Sequence, residues 1–245
     1  MAQHPPPSGL ATDSALKRAE LVIFDFDGVV ADSEVLSLST LQRSLSAFGI
    51  TLSLEKVREG FLGKSLRSIL RYVRDHSPSR SDDGFAEHWQ HKLFASFREE
   101  LAPVAGIECV LDQLALNNTP YCIASSGSFE RIGVALEAMG LSHRFSHIFS
   151  AEQVSIGKPA PDLFLLAAQD MNVAPELCLV IEDSPFGVQA AKSAKMPCIG
   201  FLGGSHLADV AENHRAELMM HGANLVVASH RALLTAEPTR DQSLV

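Results

Sequence analysis

The sequence predicts an α/β protein: a Rossmann-like parallel sheet with helices on both faces, interrupted by an inserted, all-helical cap. Three observations predict it. Short apolar runs recur along the chain, separated for most of its length by segments of helical period. Apolar runs without polar alternation suit strands buried on both faces, as parallel sheets require. One interval, residues 35–102, breaks the alternation, being helix-like and without a convincing strand.

In chain order, residues 1–18 form a polar, Pro-containing tail expected to be flexible. The first strand is expected at Leu21–Phe26. Residues 35–102 follow as the cap, in which "EVLSLSTLQRSLSAFG", "LEKVREGFLG", "SLRSILRYVRDH" and "GFAEHWQHKLFASFREEL" keep apolar residues at helical spacing. Its hinges are expected near Ser33–Val35 and Glu100–Gly106, where Pro103 and Gly106 interrupt the pattern. The core then takes residues 19–34 and 103–236, leaving 237–245 as a second tail. Further strands are expected at Tyr121–Ala124, His147–Ser150, Leu177–Ile181, Pro197–Phe201 and Asn224–Val227. Helices read as "SFERIGVALEAMGL", "PDLFLLAAQDMNV", "PFGVQAAKSAKM" and "HLADVAENHRAELMMHGA" lie between them, two closing on Gly140 and Gly222 as helix C-termini do.

The chain has 245 residues, 46% hydrophobic and 20% charged, enough for one core domain with a smaller insertion. Its 20 Lys+Arg against 29 Asp+Glu give a net charge of −9, which argues against nucleic-acid partners, since phosphate backbones need basic patches. No apolar run approaches the ~20 residues of a membrane span, and the N-terminus lacks a secretory-type apolar stretch. A cytoplasmic protein, monomeric by default, is expected. Cys109, Cys122, Cys178 and Cys198 lack CxxC spacing and read as reduced, packed thiols. His88 and His91 beside Trp89 read as an amphipathic cap helix with Trp89 as anchor. His143 and His147 have no nearby third ligand and so do not make a zinc site.

Chemistry-bearing residues cluster at the ends of the expected strands, where open α/β sheets bind ligands. Asp25 and Asp27 follow the first, in "LVIFDFDGVVADSE". Two carboxylates so close disfavour joint ionisation unless a cation or a mechanism uses them. Ser125, Ser126 and Gly127 follow the second strand, in "YCIASSG". Lys158 follows the third, in "GKPAPDLF". Glu182 and Asp183 follow the fourth, in "VIEDSPFGV", where Ser184 and Pro185 suit a helix start. Hard oxygen ligands from two strand ends suit Mg²⁺, which takes a few carboxylates plus substrate phosphate oxygens. Acids, a metal, a lysine and a hydroxyl together favour phosphoryl transfer.

Those four stretches, in that order, resemble the motifs of the haloacid dehalogenase superfamily, and residues 35–102 resemble its helical C1 cap. "PVAGIECVLDQL" resembles the segment that returns from cap to core. The resemblance covers residues 21–234. It implies Asp25 as nucleophile and Asp27 as general acid/base, Asp27 also giving its backbone carbonyl to Mg²⁺. It implies Asp183 as a direct metal ligand and Glu182 as a ligand directly or through water, with Asp25 completing the set. Ser125 and Lys158 would bind the transferring group, Lys158 also fixing Asp25, and Gly28 would let the chain turn beneath the phosphate. The cap stretch "FLGKS" looks like a substrate-specificity loop, in which Lys64, Ser65 and Arg67 contact the substrate.

Within that superfamily, dehalogenases lack the second aspartate, so Asp27 sets dehalogenation aside. β-Phosphoglucomutase is also similar, but that branch carries a cap-hinge histidine where this chain has Ser37. A Mg²⁺-dependent phosphatase acting on a small phosphorylated metabolite through an aspartyl-phosphate is the first expectation, and a phosphomutase the second. "GFLGGSH" looks similar to phosphatases of sugar or sugar-acid phosphates such as 6-phosphogluconate. A phosphonatase would need Lys64 as a Schiff-base lysine. A non-catalytic phospho-ligand binder would show damage at Asp25, Asp27, Lys158 or Asp183, and all four are intact.

Overall fold

The computed structural model describes residues 15–64 and 66–235. Six strands, β1 Leu21–Phe24, β2 Tyr121–Ser125, β3 Ile148–Ser150, β4 Cys178–Glu182, β5 Cys198–Phe201 and β6 Leu225–Val227, form one sheet. The helices are α1 Ala15–Arg18, α2 Glu34–Ala47, α3 Leu54–Phe61, α4 Leu66–His76, α5 Phe85–Glu100, α6 Ile107–Leu116, α7 Phe129–Ala138, α8 Asp162–Asp170, α9 Pro185–Ser193, α10 Ala211–His221 and α11 His230–Thr235. The sheet order is β3-β2-β1-β4-β5-β6, every pair parallel. This is the expected Rossmann-like core with a helical insertion.

Alternation within the strands builds a core on each face. In β1, Val22 and Phe24 enter one apolar cluster with α6 and α7 residues such as Val110, Leu114 and Ile132. Leu21 and Ile23 enter the other, with Leu163 and Phe164 of α8 and Val188 of α9. Both faces of β1 are therefore buried, which is why its residues are all apolar. The chain winds outward from β1 through β2 to β3, then crosses back to lay β4 on the other flank of β1. That reversal opens a crevice at the C-terminal edge between β1 and β4. Phe24 stands level with Ile123 and with Ile181, so the next residues of all three strands converge there.

The insertion has its own apolar centre, in which Leu38, Leu41 and Leu45 of α2 meet Val57, Phe61, Ile69, Val73 and Phe85. Trp89 packs against this cluster and donates its indole N–H to Thr40 Oγ1 at 3.3 Å, the anchor role read from sequence. The second half of α5 belongs to the core instead: Leu93, Phe94 and Phe97 join the cluster beneath α6 and α7. A boundary at residue 102 thus falls after a helix that serves both units.

Three expectations need correction. Ala15–Arg18 is helical with Leu16 buried, so the tail does not extend to residue 18; its first fourteen residues, and residues 237–245, lie outside the described ones. Cys109 is exposed while the other three cysteines are buried, because the inward positions of α6 are Ile107, Val110, Leu111 and Leu114. The helix expected from His206 starts only at Ala211; a 3-10 turn, Ser205–Leu207, precedes it. That turn is pinned to the crevice, because Ser205 donates its N–H and hydroxyl to Asp32 Oδ1 at 3.0 and 2.8 Å. Among the described residues no helix is long and apolar enough to cross a membrane.

Candidate active site

β1 ends at Phe24, and Asp25 is held just beyond it by its N–H to the Ile181 carbonyl, 2.9 Å away. Gly28 turns the chain away with φ +81, a left-handed conformation that glycine adopts without strain. A Cβ there would come within 1.9 Å of Asp183 Oδ2, so the first and fourth motifs pack too tightly for any side chain at this position. Ser125 is the last residue of β2, and its Oγ accepts the Gly127 N–H at 3.0 Å, which leaves the hydroxyl proton to donate. Ser126 is exposed and Gly127 half-buried at the same strand end.

Lys158 is the hub. Its side chain is 4% exposed, and Nζ donates to Asp25 Oδ1 at 2.6 Å, to Glu182 Oε1 at 2.7 Å and to the Ala124 carbonyl at 3.0 Å. An ammonium has three protons, so all are engaged. The Phe164 ring backs it, with its centroid 4.8 Å from Nζ. Burial opposes the charge, but Asp25 and Glu182 outweigh it and raise the lysine above its ordinary value.

Asp25, Glu182 and Asp183 bring ligand oxygens within 4.8 Å of one another. Burial, and next the Glu182 charge, push the Asp25 carboxyl well above the ordinary range despite Lys158. Asp183 is raised for the same two leading reasons. Three buried carboxylates against one ammonium lack positive charge, and all-oxygen donors of this kind fit Mg²⁺. Asp25 and Asp183 would hold it directly. The Asp27 carbonyl accepts no backbone hydrogen bond among the described residues, which leaves it for the same purpose. Glu182 is differently placed: Oε1 takes Lys158, and Oε2 takes the Ser184 N–H and hydroxyl at 2.8 and 3.0 Å. Both oxygens already accept hydrogen bonds while lying within the same acidic group, so Glu182 would contribute to a cation directly or through water.

Asp27 lies in a separate environment. Its Oδ1 accepts from Ser33 Oγ and from Arg131 at 2.7 Å. Burial works against ionisation, but the charge and hydrogen bond of Arg131, helped by Ser33, outweigh it and hold the carboxyl below its ordinary value. Two aspartates two residues apart are thereby pushed in opposite directions.

Four groups at the crevice carry no chemical signal in the sequence: Ser33, Glu34, Arg131 and His206. Arg131 reaches the site from α7, just after the Ser128 cap, whose Oγ accepts the Arg131 N–H at 3.2 Å. His206 sets Nε2 3.3 Å from Asp183 Oδ2, and burial lowers its basicity. The "GGSH" run stands out in the sequence by its likeness alone; in the fold its second glycine abuts this ring, since a Cβ on Gly204 would lie 2.8 Å from it. The cap meets the core here too, through Arg58 of α3, which donates to the His206 carbonyl and stands 3.9 Å from Asp209. The expected specificity residues are less engaged. Lys64 and Arg67 are exposed, and among the described residues no hydrogen bond or ion pair joins them to the core cluster; Ser65 lies outside the described residues.

A family pattern described as haloacid dehalogenase-like hydrolase matches residues 22–201, well over half of the chain. The chain belongs to that family. The Escherichia coli 6-phosphogluconate phosphatase is 29% identical over 193 residues, which span 78% of this chain and 86% of that protein. The fructose-1-phosphate phosphatase of the same organism is 28% identical over 179 residues, 73% of this chain and 94% of that one. Among solved structures, Clostridium difficile β-phosphoglucomutase superposes with a TM-score of 0.69 at 26% identity, covering 88% of this chain and 93% of that one. For a haloacid dehalogenase-like hydrolase, the arrangement of Lys158 between Asp25 and Glu182 supplies one fixed cation at the acidic strand ends, and the three carboxylates form a group that could hold a second.

Glu34 gives the metal-free hydrolase a pH signature. Burial, and next the Asp27 charge, raise this half-buried carboxyl from 4.5 to about 7. A raised folded value means that stability falls as pH climbs from 4.5 to about 7 and stays reduced above. Glu34→Gln is therefore expected to stabilise the metal-free protein at pH 8 by about 1–2 kcal/mol, with no gain near pH 4, the partial solvation keeping it below the full linkage value. Equal melting shifts at both pH values would remove Glu34 as the titrating group.

Proposed function

We propose that this chain, a phosphatase of the haloacid dehalogenase-like hydrolase family, uses Mg²⁺ and an aspartyl-phosphate intermediate to hydrolyse a small sugar or sugar-acid phosphate in the cytoplasm. Residues 35–102 serve as the cap, and 19–34 with 103–236 as the catalytic core. The observation that carries the reading is the contrast between Asp25, beside Lys158 and the acidic cluster, and Asp27, beside Arg131. A cation held by Asp25 and Asp183 would favour ionised Asp25, the nucleophile, and the negative charge of a bound phosphate ester beside Asp27 would favour its protonated form, the acid/base.

Asp25 attacks phosphorus with the oxygen that Lys158 leaves unengaged, and the bond from phosphorus to the substrate's ester oxygen breaks. Asp27, which takes up a proton once the anionic ester lies beside it, gives that proton to the ester oxygen, and the alcohol leaves. The Ser125 hydroxyl and the N–H groups after β2 donate to the phosphoryl oxygens. Water then attacks the phosphorus of the aspartyl-phosphate while Asp27 takes one of its protons. The Asp25–phosphorus bond breaks and inorganic phosphate departs, with Asp27 again protonated. Bound Mg²⁺ supplies positive charge against the phosphoryl oxygens and offsets the repulsion among the carboxylates. The cap excludes bulk water while the ester is held. The two relatives named above support a sugar-phosphate or sugar-acid substrate.

The test is phosphate release from 6-phosphogluconate, fructose 1-phosphate, other sugar phosphates and p-nitrophenyl phosphate, with and without Mg²⁺. Conversion of β-glucose 1-phosphate to glucose 6-phosphate is followed in parallel. Mg²⁺-dependent release is the expected result. Isomerisation without release would make the protein a phosphomutase, and silence in both assays would remove the phosphatase reading.

A further inference from the structure

Arg131 belongs to none of the family-like motifs, yet it joins three separate parts of the chain. Its Nη2 donates to Asp27 Oδ1 at 2.7 Å and to Ser37 Oγ at 2.9 Å. Its guanidinium carbon stands 5.3 Å from the centroid of the Phe97 ring. The side chains of Arg131 and Asp27 are each only 17% exposed. Ser37 lies on α2, by which the chain enters the cap, and Phe97 on α5, by which it returns. One core side chain thus grips the acid/base carboxylate and both roots of the cap. A guanidinium is suited to this position because it is planar, and its fixed donors serve two acceptors while its face lies on an aromatic ring.

We propose that Arg131 is the positioning residue for Asp27: it fixes the carboxylate in one rotamer and ties that rotamer to the seating of α2 and α5, so that proton delivery to the leaving oxygen occurs only with the cap in place. The proposal deepens, and rests on, the phosphatase reading. Asp27 Oδ1 is occupied by Ser33 and Arg131, and no donor takes Oδ2 among the described residues, so Oδ2 is the oxygen left to carry the proton. A carboxylate with free rotation about χ1 and χ2 would present that oxygen only part of the time, and a positioned acid is worth about 10²- to 10⁴-fold. Arg131 never touches the substrate in this role. It acts through Asp27.

A purely structural tie of Arg131 to Asp27 and to the cap helices would fit the same distances, so the test needs a readout that structure alone does not move. The ratio of kcat/KM for an alkyl ester to kcat/KM for p-nitrophenyl phosphate provides it. kcat/KM for a two-step hydrolase covers the chemistry up to departure of the alcohol. A sugar alkoxide needs the proton as it leaves, whereas p-nitrophenolate departs without one. Arg131→Met is expected to lower kcat/KM for fructose 1-phosphate and 6-phosphogluconate by about 10²- to 10³-fold, within the range of a positioned acid. The same variant should lower kcat/KM for p-nitrophenyl phosphate by less than about 5-fold. Arg131→Lys should restore part of the alkyl-ester rate, because one ammonium reaches Asp27 or Ser37 but lacks the planar fork.

Should Arg131→Met fail to fold, Ser37→Ala carries the test. It removes the tie to α2 while leaving the ion pair, and is expected to cost the alkyl esters about 3- to 10-fold with p-nitrophenyl phosphate unchanged, the scale of one neutral hydrogen bond. Equal losses on both ester classes in Arg131→Lys and Ser37→Ala would overturn the assignment and leave the phosphatase reading standing. A wild-type protein inert toward every ester would remove the phosphatase reading and this assignment with it, a result distinct from equal losses.

Discussion

Asp25→Asn is expected to abolish phosphate release while leaving a folded protein. The expected loss is at least about 10⁴-fold in kcat, because an amide neither attacks phosphorus nor forms a mixed anhydride, and deleting a nucleophile removes the covalent route as a whole. The fold should survive. Burial and the Glu182 charge already hold the Asp25 carboxyl well above its ordinary value, so ionised Asp25 costs the metal-free protein stability at neutral pH. The sign follows from the raised value: stability is full at acid pH and falls as the group ionises. Asn at this position keeps the shape, lets Lys158 donate to its carbonyl and removes one of three crowded charges. The metal-free variant should therefore lose less melting temperature than wild type between pH 5 and pH 8. Phosphate release by molybdate assay and thermal melting on the same preparation check both halves. Turnover above about one per cent of wild type would remove Asp25 as nucleophile, while a collapsed melting curve would show that the carboxylate holds the fold together.

Much of this is readable in the chain, for physical reasons that differ by residue. The strands are legible because burial on both faces of the sheet forbids polar residues along β1 and most of β4, and their ends are marked by the abrupt arrival of acids. Asp25, Ser125, Lys158, Glu182 and Asp183 each follow or close such a strand, so a local pattern locates them, and the crossover between β1 and β4 assembles them. Gly28 is legible as a turn, but not as the neighbour of Asp183 that leaves no room for a Cβ. The helical period of α2 to α5 marks the insertion, yet cannot say that Phe97 faces the core.

What the sequence hides is held by long-range contacts. Arg131 is a lone arginine on a helix start, separated by 104 residues from Asp27 and by 94 from Ser37. A charged residue at such a place is ordinarily solvated, and only the docking of α2 and α5 onto α7 encloses it. His206 is hidden for a related reason, since a helical pattern runs through it; in the fold it sits in a turn whose neighbour Ser205 is bound to Asp32. Glu182 reads as a metal ligand beside its neighbour Asp183 and lies in the same acidic group, but the sequence does not show that Lys158 and Ser184 also hold its oxygens. Lys64 and Arg67 are picked out by resemblance alone, and their exposed positions give them no geometric tie to the crevice.

Lys158→Met should be the most damaging single change in the core, because it strikes stability and turnover together. The lysine is the only cation whose Nζ lies among Asp25, Glu182 and the Ala124 carbonyl in the described residues, at 2.6, 2.7 and 3.0 Å. Methionine fills the aliphatic space against Phe164 but leaves two buried carboxylates and a carbonyl without their donor. Breaking a buried pair from one side costs about 3–5 kcal/mol, since the remaining charge stays desolvated. The expected loss in the metal-free protein at pH 8 is in that range, and it should shrink toward acid pH, where protonation of Asp25 relieves the uncompensated charge. Turnover should fall about 10³-fold or more, as both the aim of Asp25 and the nearby positive charge disappear. Two controls separate the causes. Adding Glu182→Gln to the variant removes one of the stranded charges and should recover stability without recovering turnover, a coupling that a double-mutant cycle reads directly. Lys158→Arg keeps the charge, but its planar fork cannot place three donors on acceptors arranged for a point ammonium, so it should melt closer to wild type and remain slow. Denaturant unfolding at pH 5 and pH 8 with phosphate release measures all five proteins: wild type, Lys158→Met, Glu182→Gln, their combination and Lys158→Arg. A Lys158→Met protein as stable as wild type at pH 8 would mean that Asp25 and Glu182 share a proton rather than a lysine, and the division of labour between Asp25 and Asp27 would have to be drawn again from that shared proton.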